Sequence, residues 1–447
     1  MISFNGQAIR IDDWLHSAPN HWKRRPLKYL MTRTSIRGKA DAQLLSVYRD
    51  FGVVRREGRE DNHNRVGMDL SNYLYVKPGD LVINKMKAWQ GSLGISRFSG
   101  IVSPAYFVYD VDDGMFSPYL HYVLRSEPYF REYARISDGV RTNQWDLDAD
   151  EFGRMLLLIP PYEKQKEIAD FLDRKTAAID ELITRKQQLI ERLEELRASL
   201  INRAVTKGLN PDVEMKDSGV EWIGEIPKHW EVKRLKYISP KQTVGVVVNP
   251  SSYVEDNGEV PFIYGSEVSA GVIDVSKARR ITHRSNRKLI KSQLKTGDLV
   301  SVRVGDPGVT AVVPPELNGI NCGSIMIIRS SDRFNSDWLC FLMNSKTGRH
   351  NVWLVAYGAA QKQYNISHAI DFLYPVPPIE EQEYIACFLN EESDKIGGIV
   401  VSFQEVVSRL QEYRQSLITA AVTGQLDVSA PSTHHSTDRQ LALLATE

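Results

Sequence analysis

Two short segments sit at matching places in the chain and are rich in side chains that can bond to base edges. Lys85-Met86-Lys87-Ala88-Trp89-Gln90-Gly91 follows one Gly-Asp-Leu-Val run, and Arg303-Val304-Gly305-Asp306-Pro307-Gly308 follows another. Further on, Arg141-Thr142-Asn143-Gln144-Trp145 corresponds to Gln361-Lys362-Gln363-Tyr364. Arg and Lys offer donors to guanine, and Asn and Gln offer a donor and an acceptor to adenine, so these segments carry the chemistry of major-groove reading. Basic residues cluster as well. From Lys277 to Lys295 the chain carries Arg279, Arg280, Arg284, Arg287, Lys288 and Lys291, with His283 and no acidic residue. Arg33, Arg37, Lys39, Arg55, Arg56, Arg59 and Arg65 play this part in the first half, diluted by Glu57, Glu60 and Asp61. Clustered cations neutralise phosphates and release counterions, which drives nucleic-acid binding. The bland readings are a solvated charged face and loops that merely cover a sheet.

Overall charge offers no such hint. Lys+Arg and Asp+Glu both number 56 in 447 residues, so any attraction for a polyanion must be local. No Gly-rich phosphate loop and no Gly-x-Gly-x-x-Gly run is present. The methyl-transfer signature, Asn or Asp before Pro-Pro and an aromatic, is missing too; Asn249-Pro250-Ser251-Ser252 does not match it. The ten histidines lack metal-ligand spacing. The expectation is a chain without a catalytic centre, a metal or a cofactor of its own. Cys322, Cys340 and Cys387 fit neither a disulfide framework nor a zinc site, which suits a reducing cytoplasm. Met1 to His16 does not read as a signal peptide, and no stretch approaches the ~20 apolar residues of a membrane helix.

The elements that would position these loops are visible because the chain repeats. Pro19, His21, Trp22, Leu27, Lys28 and Tyr29 recur as Pro227, His229, Trp230, Leu235, Lys236 and Tyr237, at offset 227 − 19 = 208. Gly79-Asp80-Leu81-Val82 recurs as Gly297-Asp298-Leu299-Val300, at 297 − 79 = 218. Pro160-Pro161 with Glu163, Gln165, Ile168, Ala169, Phe171 and Leu172 recurs as Pro377-Pro378 with Glu380, Gln382, Ile385, Ala386, Phe388 and Leu389, at 377 − 160 = 217. Ser199-Leu200-Ile201 and Ala204-Val205-Thr206 recur at the same offset as Ser416-Leu417-Ile418 and Ala421-Val422-Thr423. Between these blocks the halves diverge, as one scaffold presenting two different surfaces would.

Tyr162 to Lys207 contains neither Gly nor Pro. Ile179, Leu182, Leu189, Leu193, Leu196 and Leu200 fall on steps of three and four, with Lys186 at the polar step; Ile396, Ile399, Phe403, Val406, Leu410, Tyr413 and Leu417 repeat the stripe. This pattern predicts a coiled-coil seam. The short connector after Lys207 could not run back along a helix of ~67 Å, so the pair should be antiparallel, with one globular domain at each end. Each domain reads as short strands, among them Val47-Tyr48, Tyr73–Val76, Leu81–Ile83 and Tyr106–Tyr109 in the first and Phe262–Tyr264, Leu299–Val302 and Ile325–Ile328 in the second. One helical stretch should follow in each, near Pro118–Tyr133 and Ser336–Thr347. The expected fold class is α+β: two pseudo-symmetric α/β domains, 1–160 and 222–378, separated by a long antiparallel two-helix coiled coil, 161–207 and 379–424. A linker at 208–221 and a disordered tail at 425–447 complete the division.

Three features together resemble the specificity subunits of Type I restriction–modification systems: Asp217-Ser218-Gly219-Val220-Glu221-Trp222-Ile223-Gly224 leading to Pro227 and Trp230, the paired Pro-Pro-x-Glu-x-Gln helix starts, and Leu417-Ile418-Thr419-Ala420-Ala421-Val422-Thr423-Gly424. The resemblance runs from about Pro19 to Asp427. It implies two target recognition domains, each reading one half of a split, asymmetric double-stranded DNA site. It implies spacer helices that dock two modification subunits, which use S-adenosylmethionine to methylate adenine. Separate restriction subunits would translocate and cleave DNA with ATP and Mg. Gly397-Gly398 departs from the first copy, which has Asp180-Glu181, and implies a kink or looser pairing. A coiled-coil scaffold that joins protein partners without reading DNA is the competing class.

Overall fold

The computed structural model describes residues 18–49, 51–57, 69–141, 144–356 and 362–446. The chain forms two compact units, Met1–Gln188 with Ser402–Glu447, and Leu189–Val401. Each takes its own globular domain, half of one long helix and half of the other. Among the described residues, no helix is long and apolar enough to cross a membrane.

Both domains are built on the same four-stranded antiparallel sheet. In the first the strand order is Met31–Thr34, Tyr106–Val111, Leu81–Asn84, Leu93–Ile95; in the second it is Gln242–Val244, Met326–Ile328, Leu299–Ser301, Thr310–Val312. The repeated Gly-Asp-Leu-Val explains the central strand. Gly79 and Gly297 adopt φ of 96° and 81°, a left-handed turn that favours glycine. Asp80 accepts a hydrogen bond from the Lys77 backbone N–H at 2.7 Å, and Asp298 from that of Lys295 at 2.9 Å, each closing the turn. Side chains then alternate. Leu81, Ile83 and Leu299 face the core shared with the helices, while Val82 and Val300 face a second core on the opposite side of the sheet. Burial on both faces is why these strands read as unbroken apolar runs.

The long helices are α1 (Tyr162–Lys207) and α2 (Ile379–Val422). The Gln of each Pro-Pro-x-Glu-x-Gln motif is buried and bonded twice. Gln165 accepts from the Phe116 N–H at 2.9 Å and donates to the Pro160 carbonyl at 3.0 Å. Gln382 does the same with the Asn335 N–H at 3.0 Å and the Pro377 carbonyl at 2.9 Å. The motif thus pins each helix start to its own domain.

In the first unit α1 and α2 run antiparallel. Asp180 of α1 pairs with Arg414, and Lys186 of α1 stands 4.4 Å over the Phe403 ring, so positions climb one helix as they descend the other. Ile179, Val406, Leu410 and Leu417 are buried in this unit. In the second, Leu200, Ile201, Ala204 and Val205 share a core with Ile385, Ala386 and Leu389. The seam is not evenly buried as its heptads suggested. Leu189, Leu196 and Ile399 are 41%, 57% and 44% exposed. A stripe of period 3.5 guarantees alignment along a helix, but not that the facing surface closes over it.

Other expectations need correction. The tail, expected to be disordered, is ordered where it is described: Pro431–Thr446 forms a third helix, α3, and Val428 and Leu441 are buried in the first unit's core. The single helical stretches are pairs, Ser117–Leu124 with Glu127–Arg135 and Ser336–Asn344 with Lys346–Val355. Within the linker, Met215–Asp217 pairs with Glu225–Pro227 as a small antiparallel ribbon.

α2 runs unbroken through Gly397-Gly398, and a Cβ added at either position meets nothing within 4 Å. Glycine in a helix interior costs about 1 kcal/mol against alanine. Gly397→Ala with Gly398→Ala is therefore expected to stabilise the second unit by about 1–2 kcal/mol, read by calorimetry as a rise in Tm. Asp180, the first-copy match of Gly397, makes the ion pair to Arg414, so the second copy lacks that carboxylate.

Candidate nucleic-acid interface

The segments that stood apart in sequence meet in space, once in each unit. In the first, Lys85–Gln90 forms a tight 3-10 turn directly after the central strand. The strand Gln144–Leu147, paired with Ser137–Arg141, lies against it. Lys85 reaches Asp146 at 2.8 Å, and the Trp89 ring packs on Trp145 with centroids 5.2 Å apart. In the second unit, Val304 bridges to Gln363 as an antiparallel pair. The Tyr364 N–H donates to the Arg303 carbonyl at 3.2 Å, and the Gly305 N–H donates to the Lys362 carbonyl at 3.2 Å.

The ends of both turns are glycine for the same reason. Gly91 and Gly308 have φ of 86° and 95°, and a Cβ at either would lie 2.7 Å from a helix side chain, Phe130 or Val352. Their offset is 308 − 91 = 217, the value of the helix blocks. The turn is held against the neighbouring helix while its other residues vary.

Several expected contact residues prove to be anchors. Tyr364 is 1% exposed; its hydroxyl lies 3.0 Å from the Ser301 Oγ, and Thr310 Oγ1 donates to Ser301 at 3.0 Å. Its role as a base-reading side chain is ruled out by burial. Arg303 directs its guanidinium to the Tyr364 carbonyl at 3.3 Å and to Asn365 Oδ1 at 3.2 Å, so it locks the two segments together. Trp89 is half-buried on Trp145. Lys87 and Lys362 are exposed, while Gln90 and Gln363 are half-buried at the rims. Of Arg141 and Gln144 only the strand pairing is described, and Asn143 and Gln361 lie outside the described residues. Removing the Tyr364 hydroxyl by Tyr364→Phe should cost about 1 kcal/mol, and Tyr364→Ala about 3–5 kcal/mol, measured by thermal unfolding.

The basic run of the second unit forms an edge strand, Arg279–Ile281, and a short helix, His283–Lys288. Thr282 caps that helix by accepting from the Ser285 N–H. Arg279 stands 5.4 Å over the Tyr264 ring and Arg280 donates to the Glu259 carbonyl at 2.8 Å, while Arg284, Arg287 and Lys288 are exposed. A Cβ on Gly265, next to Tyr264, would lie 2.9 Å from Val302, so this basic edge adjoins the Arg303 turn.

The first unit reaches the same end differently. Arg33 lies 4.3 Å over Phe107, Lys39 5.0 Å over Tyr75, and Arg55 4.8 Å over Phe98, each cation resting on an aromatic face. Arg37 is exposed and Arg56 half-buried; Arg59 and Arg65 lie outside the described residues. Tyr106, which sequence reasoning passed over, meets Asn84 at the entrance to the Lys85 turn. Burial pushes its phenol above the ordinary range, and Arg56 opposes that shift. In the sequence Tyr48, Tyr73 and Tyr106 read only as strand residues, and Arg56 only as part of the basic cluster.

No family model matches the chain. Among known proteins it is similar to the EcoBI specificity subunit of a Type I restriction enzyme from Escherichia coli, 24% identical over 61% of this chain and 58% of that protein. It thus spans a little over half the length of that relative. It is 23% identical to the MjaVIII specificity subunit from Methanocaldococcus jannaschii, over 80% of this chain and 83% of that one. In fold it matches a chain from a structure concerned with complex assembly and conformational transition of the type I R-M system. The TM-score is 0.68 and the identity 14%, with 92% of this chain and 99% of that chain covered. In sequence along most of its length the chain is similar to specificity subunits of Type I restriction enzymes, and it shares its doubled sheet-and-helix architecture with a chain from a type I R-M system.

Proposed function

We propose that this chain is the non-catalytic DNA-reading subunit of a Type I restriction–modification complex, each unit recognising one part of a bipartite, asymmetric site. The observation that carries this reading is the twice-built pair of segments: one frame holds Lys85–Gln90 against Gln144–Leu147 and Arg303–Gly308 against Lys362–Tyr364, with different side chains at each. Identical framing with different chemistry suits two half-sites that differ in sequence. Basic edges beside the segments, Arg279–Lys288 and Arg33 to Arg56, supply phosphate contacts. Adenine methylation with S-adenosylmethionine, and DNA translocation and cleavage with ATP and Mg, belong to modification and restriction subunits that dock on α1 and α2. The exposed Leu189, Leu196 and Ile399 support such docking. The protein works in the cytoplasm, where its DNA is.

A scaffold that reads no DNA would present the same apolar stripe without need of the paired segments. Retention of duplex DNA by the chain assembled with its modification partners separates the two. A duplex carrying the split site should be held about 10³-fold or more tightly than one with the same composition scrambled. Equal retention of both duplexes would leave only the scaffold.

A further inference from the structure

The strand Gln242–Val244 runs out into a loop with two consecutive exposed valines. Val247 is 58% and Val248 79% exposed, and Val248 is the most exposed large apolar side chain among the described residues. Leaving two neighbouring aliphatic side chains in water is unfavourable, so the loop's place in the fold decides what would cover them.

The sheet register fixes that place. Val244 and Ser301 both pair with Met326 of the strand between them. Their strands therefore run out at the same end of the sheet, and the valine loop leaves it together with the Arg303 turn. The loop is held on both sides. At its start the Val246 N–H donates to the Cys322 carbonyl at 2.8 Å, and the Ser324 N–H donates to the Val246 carbonyl at 3.0 Å. A Cβ on Gly245 would run into the same Cys322 carbonyl, so only glycine fits there. At its end Val254 bridges to Ile281, and the Glu255 N–H donates to the Arg280 carbonyl at 3.1 Å. Between these anchors Asn249 turns the chain at a φ of 43°. The loop is thus tied to the basic edge strand and shares its end of the sheet with one of the paired segments.

The first unit puts different chemistry in this place. Arg33 and Gln242 hold matching positions, opposite Tyr109 and Ile328, which pair in turn with Leu81 and Leu299. At that offset, 242 − 33 = 209, Val248 matches Lys39. Both side chains are exposed, one a cation and the other an aliphatic.

We propose that Val247 and Val248 contact the 5-methyl groups of thymine in the half-site read by the second unit, and so help to set its sequence. The inference rests on the reading above, that each unit reads duplex DNA. Most groups in the major groove are donors and acceptors, which suit Arg, Lys, Asn and Gln; the thymine methyl is the one that suits an aliphatic side chain. The neighbouring cations favour DNA over a protein as the occupant, since one duplex brings phosphates to Arg279 and Arg280 and methyl groups to the valines.

The chain assembled with its modification partners is titrated with two duplexes that carry the split site. One has thymine throughout, and the other has deoxyuridine at every thymine of the second unit's half-site, as assigned by exchanging that unit's domain. Uracil pairs as thymine does and lacks only the methyl. The wild-type complex should bind the uracil duplex about fourfold more weakly for each methyl contacted. Val247→Ser with Val248→Ser should bind both duplexes alike, at the wild-type affinity for uracil. Both valines are exposed, so the unfolding midpoint should hardly move, and the wild-type comparison needs no variant at all. Equal binding of the two duplexes by the wild type would overturn the proposal. So would a serine variant that keeps the full thymine preference, whether its affinity is unchanged or falls on both duplexes together, as loss of a minor-groove wedge or a protein contact would require. A complex that prefers the split site to a scrambled duplex but ignores the methyl sinks this inference alone; one without that preference sinks DNA reading as well.

Discussion

Replacing Arg279, Arg280, Arg284 and Arg287 together by Ala is expected to flatten the salt dependence of DNA binding by the assembled complex. Each phosphate contact contributes about 0.9 to the slope of log affinity against log salt. If all four arginines meet phosphates, the slope falls by about 3–4, and the loss of affinity between 50 and 200 mM salt shrinks about a hundredfold. The structure orders their contributions. Arg284 and Arg287 project from an exposed helical turn, whereas Arg279 rests on Tyr264 and Arg280 bonds the Glu259 carbonyl. Arg284→Ala with Arg287→Ala should therefore account for a fall of about 2 on its own. Because these side chains are exposed, the unfolding midpoint should hardly move, which separates lost contact from lost fold. A slope unchanged in the fourfold variant would remove this edge from the interface.

How far the sequence carries this account differs by level. The frame was legible because it repeats and because each repeated residue has a local duty. Gly79 and Gly297 make a turn that other residues resist, Asp80 and Asp298 close it, and Gln165 and Gln382 tie helix to domain. The meeting of the paired segments was not legible. Nothing local in Arg303 or Tyr364 says that they lie side by side, because that contact joins residues 61 positions apart. Residue roles within the site were misread for the same reason. Tyr364 has the composition of a contact residue and the burial of a core residue, and only tertiary packing distinguishes the two. The tail was misread on composition: Pro431–Thr446 is polar enough to look disordered, yet Leu441 and the Lys175–Asp438 pair suffice to seat one face of a helix on a surface already formed.

The second large effect concerns modularity. Trp230 to Tyr374 contains the whole sheet of the second domain, its basic edge and both of its paired segments. Two of the contacts that join this block to the helices use residues of the repeated frame: the Trp230 indole N–H donates to Glu381 at 2.9 Å, and Gln382 accepts from the Asn335 N–H at 3.0 Å. A relative that shares the frame should therefore supply a replacement block that seats in the same way. Under the proposed function each unit reads its own half-site. Exchanging Trp230–Tyr374 for the same block of such a relative, and mapping methylated adenines across the genome of cells that carry the chain with its partner subunits, tests that claim most directly. The expected result is a site in which one half takes the relative's sequence and the other half stays as it was. A site changed in both halves, or in neither, would contradict it.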